Sequence, residues 1–146
     1  MKAFVLDNSV AMRWCFDFGE HAYADGILSL LRQREAVAWV PSLWRYEAAS
    51  VLSKAEIGGR LEQGDIERFL RILDMLDIVT DAMSWANALH SVRKLAVQTR
   101  LTGYDAAYLE LAHRRGIPLA TLDLDLDLLK AAQAIGVPVI QHQPSQ

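Results

Sequence analysis

Of the 18 Asp and Glu residues in the chain, four stand where a solvated charge is out of place. Asp7 follows a short apolar run at 3–6, which reads as a buried strand delivering one carboxylate to the rim of a sheet. Asp123 follows a second such run at 119–122. By helical spacing, Glu47 shares a face with Leu43 and Val51, and Asp105 with Tyr108, Leu109 and Ala112. Each alone has a plainer reading. A strand-end Asp caps the next helix, a first-turn Asp answers a helix dipole, and a lone Glu pairs with a core arginine. Four together, at one end of a sheet and without a matching set of buried cations, repel one another unless a cation joins them. An all-oxygen donor set suits Mg²⁺ or Mn²⁺ rather than zinc.

The elements that must position these acids follow from the apolar pattern. After Asp7, Asn8 or Ser9 can cap a helix through Ala11, Met12 and Trp14, which breaks at Gly19. A helical stretch at 21–34 precedes a buried strand at 36–40, stopped by Pro41. Ser42 can cap a helix over 43–57 that ends at Gly58-Gly59, and a further helix covers 62–76. A brief strand at 78–80 and helices over 82–97 and 104–114 lead to the strand at 119–122. A helix over 125–134 and a last strand at 137–140 complete the pattern. Strands separated by helices imply an α/β fold: a mainly parallel central sheet of four to five strands, flanked by helices on both faces. Residues 1–141 read as a single domain and 142–146 as a polar C-terminal tail.

Composition narrows the class. The chain has 146 residues, of which 52% are hydrophobic, enough for one sizeable core. A net charge of −3 supplies no basic field to attract nucleic acid, although bound cations reverse a local potential. The single cysteine, Cys15, rules out an internal disulfide framework and reads as a packed thiol in a reducing compartment. Asp7 interrupts the N-terminal apolar run, so no signal peptide is expected. No apolar run approaches the roughly 20 residues of a membrane span, and a cytoplasmic protein is the expectation. His21, His90, His113 and His142 show no metal-ligand spacing and read as surface residues. No serine has a recognisable histidine partner, and no Gly-rich phosphate loop is present.

Four segments, in order, carry a resemblance: Val5-Leu6-Asp7-Asn8-Ser9, the stretch from Pro41 to Glu47, Leu101-Thr102-Gly103-Tyr104-Asp105-Ala106-Ala107-Tyr108, and Ala120-Thr121-Leu122-Asp123. The chain resembles PIN-domain proteins, and within them the VapC-type ribonuclease toxins of bacterial and archaeal toxin–antitoxin pairs. The resemblance implies a PIN-like three-layer sandwich and an acidic pocket holding Mg²⁺ or Mn²⁺. It also implies hydrolysis of RNA as a metal-dependent endoribonuclease. Matched motif by motif, the metal-binding and catalytic acids are Asp7, Glu47, Asp105 and Asp123. In the alternating run Asp123-Leu124-Asp125-Leu126-Asp127 the fourth position is Asp123, directly after the strand, or else is shared with or shifted to Asp125. Ser9 and Thr121 match small hydroxyl residues that support the acids by hydrogen bonding. The resemblance further implies an antitoxin clasped near residues 43–76, by an amphipathic helix in an apolar groove, and a homodimer.

On this expectation, a water made acidic by the metal attacks the RNA phosphodiester. Arg13 and Arg45, near two of the acids, are candidates for holding RNA phosphates. Two other readings compete. One is a catalytically weak PIN-like module that only binds a partner. The other is a phosphotransferase with a strand-end Asp as nucleophile, which usually wants a second Asp two residues on, where this chain has Ser9.

Overall fold

The computed structural model describes residues 2–123 and 125–141; the tail at 142–146, with His142, lies outside the described residues. Strand β1 (Lys2–Leu6) lies at the centre of the sheet, so both of its faces are covered and Phe4, Val5 and Leu6 are all buried. β2 (Ala36–Pro41) pairs with it on one side, and β4 (Leu119–Ala120) on the other. β3 (Ile78–Asp81) lies outside β2, which gives a parallel sheet of order β3-β2-β1-β4. Val5 faces Trp39 in one register and Leu119 in the other.

Side chains alternate across this sheet and divide the core in two. Phe4 and Leu6 pack with helices α1 (Asn8–Ala11), α2 (Arg13–Phe16), α3 (Ala22–Arg32), α4 (Trp44–Ile57) and α5 (Gln63–Asp74). Val5 packs on the opposite face with α7 (Arg93–Thr99), α8 (Gly103–Arg115) and α9 (Leu126–Ala134). α7 is preceded by the short α6 (Trp85–Asn87) and a π-helical turn, Ala88–Val92. The result is the expected three-layer α/β sandwich. Among the described residues, no helix is long and apolar enough to cross a membrane.

The structure corrects several local expectations. The run at 137–140 is not a full fifth strand: it contributes one isolated parallel bridge, Leu119 to Val139. β4 stops at Ala120 rather than at 122, because the Asp123 N–H turns back to donate to Thr121 Oγ1 at 2.9 Å. Neither Asn8 nor Ser9 caps α1. Asp7 occupies the N-cap position but makes no side-chain capping bond, and Ser9 donates to the Asp7 carboxylate instead. Ser42 does not cap α4 either; Leu43 takes that position, without a side-chain bond. α8 ends at Gly116, whose φ of +63° is the left-handed conformation that a glycine adopts without strain.

Candidate active site

β1 and β4 run side by side, and sheet order reverses between them: the chain goes from β1 to β2 on one side and returns to β4 on the other. The carboxyl ends of strands flanking such a reversal form a natural crevice. Asp7 leaves β1 at that point, and the Asp7 N–H still donates to Ala120 O at 3.0 Å, which keeps the two strand ends together. A pocket of about 600 Å³ opens there. Asp7, Glu47, Asp105 and Asp123 all line it, drawn from β1, α4, α8 and the turn after β4.

Each acid is held differently. Asp7 Oδ2 accepts from Ser9 Oγ at 2.6 Å and from Thr121 Oγ1 at 2.8 Å. Glu47 Oε1 accepts from the Tyr108 hydroxyl at 2.6 Å. Asp105 stands in the first turn of α8, where Thr102, not Asp105, is the cap: Thr102 Oγ1 accepts from the Asp105 N–H at 3.1 Å. Asp123 Oδ1 accepts from the Asp125 N–H at 3.0 Å.

The electrostatics follow from this crowding. Burial raises the Asp7 pKa, the Ser9 and Thr121 bonds oppose it, and the charge of Asp123 adds to the rise. Burial likewise raises Glu47, against the Tyr108 bond and together with the charges of Asp7 and Asp105. Asp105 is raised by burial and then by Asp123, Asp7 and Asp125. The Tyr108 hydroxyl, buried and bonded to Glu47, is pushed far above the usual phenol range.

Among the described residues, no three His, Cys, Asp or Glu side chains converge closely enough to hold an ion as they stand. The four acids nevertheless offer only carboxylate oxygens in one shared cavity, and hydroxyl donors fix two of them from behind. That donor set fits a hard divalent cation. The fit is one of donor chemistry and a common pocket, not of preformed coordination geometry.

The other expected residues divide. Ser9 lines the pocket and Thr121 reaches Asp7 from below it. Asp125 is exposed and caps α9, accepting from the Asp127 N–H at 2.9 Å. Arg13 lines the pocket but is paired with Asp17 at 2.7 Å. Arg45 is exposed and donates to Thr80 Oγ1 at 3.3 Å, outside that wall. Sequence reasoning passed over Tyr108 as a site residue, although it lies three positions after Asp105 on one helical face. His21, read from the sequence as a surface residue, is half-buried in the pocket wall. A further acid was missed. Asp81, at the end of β3, is buried and bonded by Arg114 at 2.6 Å and Arg115 at 3.0 Å. Burial works to raise its pKa, but the two guanidinium groups outweigh it and hold the carboxyl below the usual range.

Residues 4–132 match the PIN domain family. This chain belongs to the PIN-domain family. A curated relative, named Exonuclease VapC9 and from Pyrobaculum aerophilum, is 32% identical over 111 residues, 75% of this chain and 78% of that protein. The crystal structure of PAE2754, from the same organism, superposes with a TM-score of 0.64 at 27% identity, covering 89% of this chain and 79% of its own. The VapC9 likeness places this PIN domain among the VapC-type proteins, as the four motif segments implied, and the PAE2754 likeness supports the shared fold.

Proposed function

We propose that this PIN domain is a nuclease that hydrolyses phosphodiester bonds of RNA with the help of Mg²⁺ or Mn²⁺, as the toxin of a toxin–antitoxin pair. The observation that carries the reading is the gathering of four carboxylates, from four separate segments, into one pocket at the sheet's switch point. Asp7, Glu47, Asp105 and Asp123 would hold the ion. When bound, such an ion supplies Lewis acidity and a more acidic water. The chain's own residues do the rest. Ser9 and Thr121 hold one Asp7 oxygen and Tyr108 holds one Glu47 oxygen, which fixes both carboxylates at the pocket wall. Arg13, on the wall, is the cation available to a phosphate oxygen once it is released from Asp17.

The VapC9 relative is named an exonuclease. For this chain we favour internal cleavage, because the acid pocket shares wall residues His21 and Leu122 with a neighbouring cleft, so a strand can run through rather than end there. Exposed Tyr46, Ile57, Leu70 and Met75 on and beside α4 and α5 support an antitoxin segment lying along that helix pair. A second copy of the chain would cover the apolar pocket lined by Leu89, Val92 and Tyr104, as a homodimer.

The test is cleavage of a circular single-stranded RNA with and without Mn²⁺. Cleavage that requires the ion, and that Asp105→Asn reduces by more than about 1,000-fold while thermal unfolding stays cooperative, supports the reading. Metal-independent cleavage, or an active Asp105→Asn protein, overturns the site. Hydrolysis of linear but not circular RNA would make the enzyme an exonuclease.

A further inference from the structure

We propose that His21 is a substrate-binding residue, whose Nε2–H donates to an RNA phosphate where the strand passes from the acid pocket into the adjoining cleft. The inference rests on the nuclease reading of that pocket and extends it to the path of the substrate.

His21 belongs to the walls of both cavities. The second is a cleft of about 430 Å³, lined by Tyr23, Thr121, Leu122 and Ile140 among others, which is within the range of small-ligand pockets of about 300–1,000 Å³. A chain with a phosphate at the four acids and its next nucleoside in that cleft would pass the two shared wall residues, Leu122 and His21, of which only His21 carries a polar side chain. The imidazole is held for the purpose. Its Nδ1 accepts from the Ala24 N–H at 3.3 Å as the N-cap of α3. That turn is pinned in turn by Trp14 Nε1, which donates to Ala24 O at 2.9 Å. A ring nitrogen that accepts carries no proton, so in the neutral ring the proton sits on Nε2. Among the described residues, Nε2 has no partner of its own.

The pocket's chemistry calls for such a donor. Four carboxylates repel a phosphate, and some of the donors around them are already engaged. The Ser9 hydroxyl donates to Asp7, and Arg13 is paired with Asp17. Of the wall residues with an uncommitted side-chain N–H (Asn8, His21 and the guanidinium N–H groups of Arg13 not bonded to Asp17), only His21 also lines the cleft.

The competing reading is that His21 only caps α3, and the variant is chosen to separate the two. His21→Asn keeps a strong N-cap but is too short to place an N–H where Nε2 stands. In the Asp105→Asn background, affinity for a fluorescein-labelled single-stranded RNA is read by anisotropy in the presence of Mn²⁺. His21→Asn is expected to weaken binding about 10-fold, the loss of one hydrogen bond to a charged group. With Asp105 intact, KM should rise by a similar factor while kcat stays within about twofold. The melting temperature should move by less than about 2 °C; should Asn prove a poorer cap here, His21→Ser carries the same comparison. RNA affinity and KM within twofold of the parent, in a stably folded variant, would reduce His21 to a helix cap and overturn the proposal. In that case wild-type cleavage still stands. A wild-type protein that cuts no RNA with Mg²⁺ or Mn²⁺ overturns the nuclease reading itself, and this proposal with it.

Discussion

Thr121 Oγ1 donates to Asp7 Oδ2 at 2.8 Å across 114 positions of sequence, and the same oxygen accepts from the Asp123 N–H at 2.9 Å. One buried hydroxyl thus ties the first acid to the turn that carries the last. Thr121→Val keeps the shape and removes both bonds. It should cost about 1–3 kcal/mol of stability, because a buried carboxylate loses a donor and an amide loses an acceptor. The Asp7 pKa, already raised, should rise further, which moves the acid limb of the pH–rate profile to higher pH. Thr121→Ser should restore both. Thermal melts and a pH–rate profile check this, and an unmoved acid limb in Thr121→Val refutes the link.

Asp123 and Asp125 alternate in sequence but differ in what they touch. Asp123 faces the acid pocket, whereas Asp125 caps α9. Asp123→Asn should lower kcat/KM by at least about 100-fold with little change in melting temperature. Asp125→Ala should do the reverse, costing about 1 kcal/mol through the lost cap and leaving kcat/KM within a few-fold. Reversed results would move the fourth acid to Asp125.

Tyr108 holds Glu47 through a 2.6 Å bond that favours the ionised carboxylate. Tyr108→Phe removes that bond, so burial and the neighbouring charges raise the Glu47 pKa further. Activity that needs ionised Glu47 should then fail at a higher pH as the solution is acidified, while the alkaline side of the profile stays in place. Coincident acid limbs for the two proteins would show that Glu47 does not titrate in the activity.

Asp7, Glu47 and Asp105 all have folded-state pKa values above their ordinary ones. Their contribution to stability is fully present below the unfolded values, about 4, and is lost as pH rises through the folded values. Asp81 works in the opposite sense: its contribution is present above its unfolded value and is lost as pH falls through its lowered folded one. At neutral pH without metal, Asp105→Asn should therefore raise the melting temperature by about 2–4 °C. Saturating Mn²⁺ should raise the wild type by binding the folded state and leave Asp105→Asn nearly unmoved. Melts with EDTA and with Mn²⁺ decide it. A wild type indifferent to both would remove the cation from the pocket.

The amino-acid sequence by itself determined the order of elements and the identity of the unusual acids. An apolar run that stops on Asp7, and a face shared by Leu43, Glu47 and Val51, are local periodicities that need no partner to be seen. The four motif segments likewise pointed to the PIN-domain family before any contact was known. What each acid does with its neighbours was decided only by the tertiary structure, because hydrogen bonds join atoms far apart in sequence. Asp7 stands at the N-cap of α1, but its side chain makes no capping bond and instead accepts from Thr121 and Ser9. Asp125 is a cap because the chain turns at 123 before α9 begins. Asp81 and the arginines of α8 gave no signal in periodicity, since their pairing exists only once β3 and α8 lie together. The last strand shrank to one bridge for a similar reason. Its apolar residues favour extension, but among the described residues Val139 pairs with Leu119 alone. His21, with no metal-ligand spacing to other histidines, read as a plain surface side chain until folding placed it between two cavities.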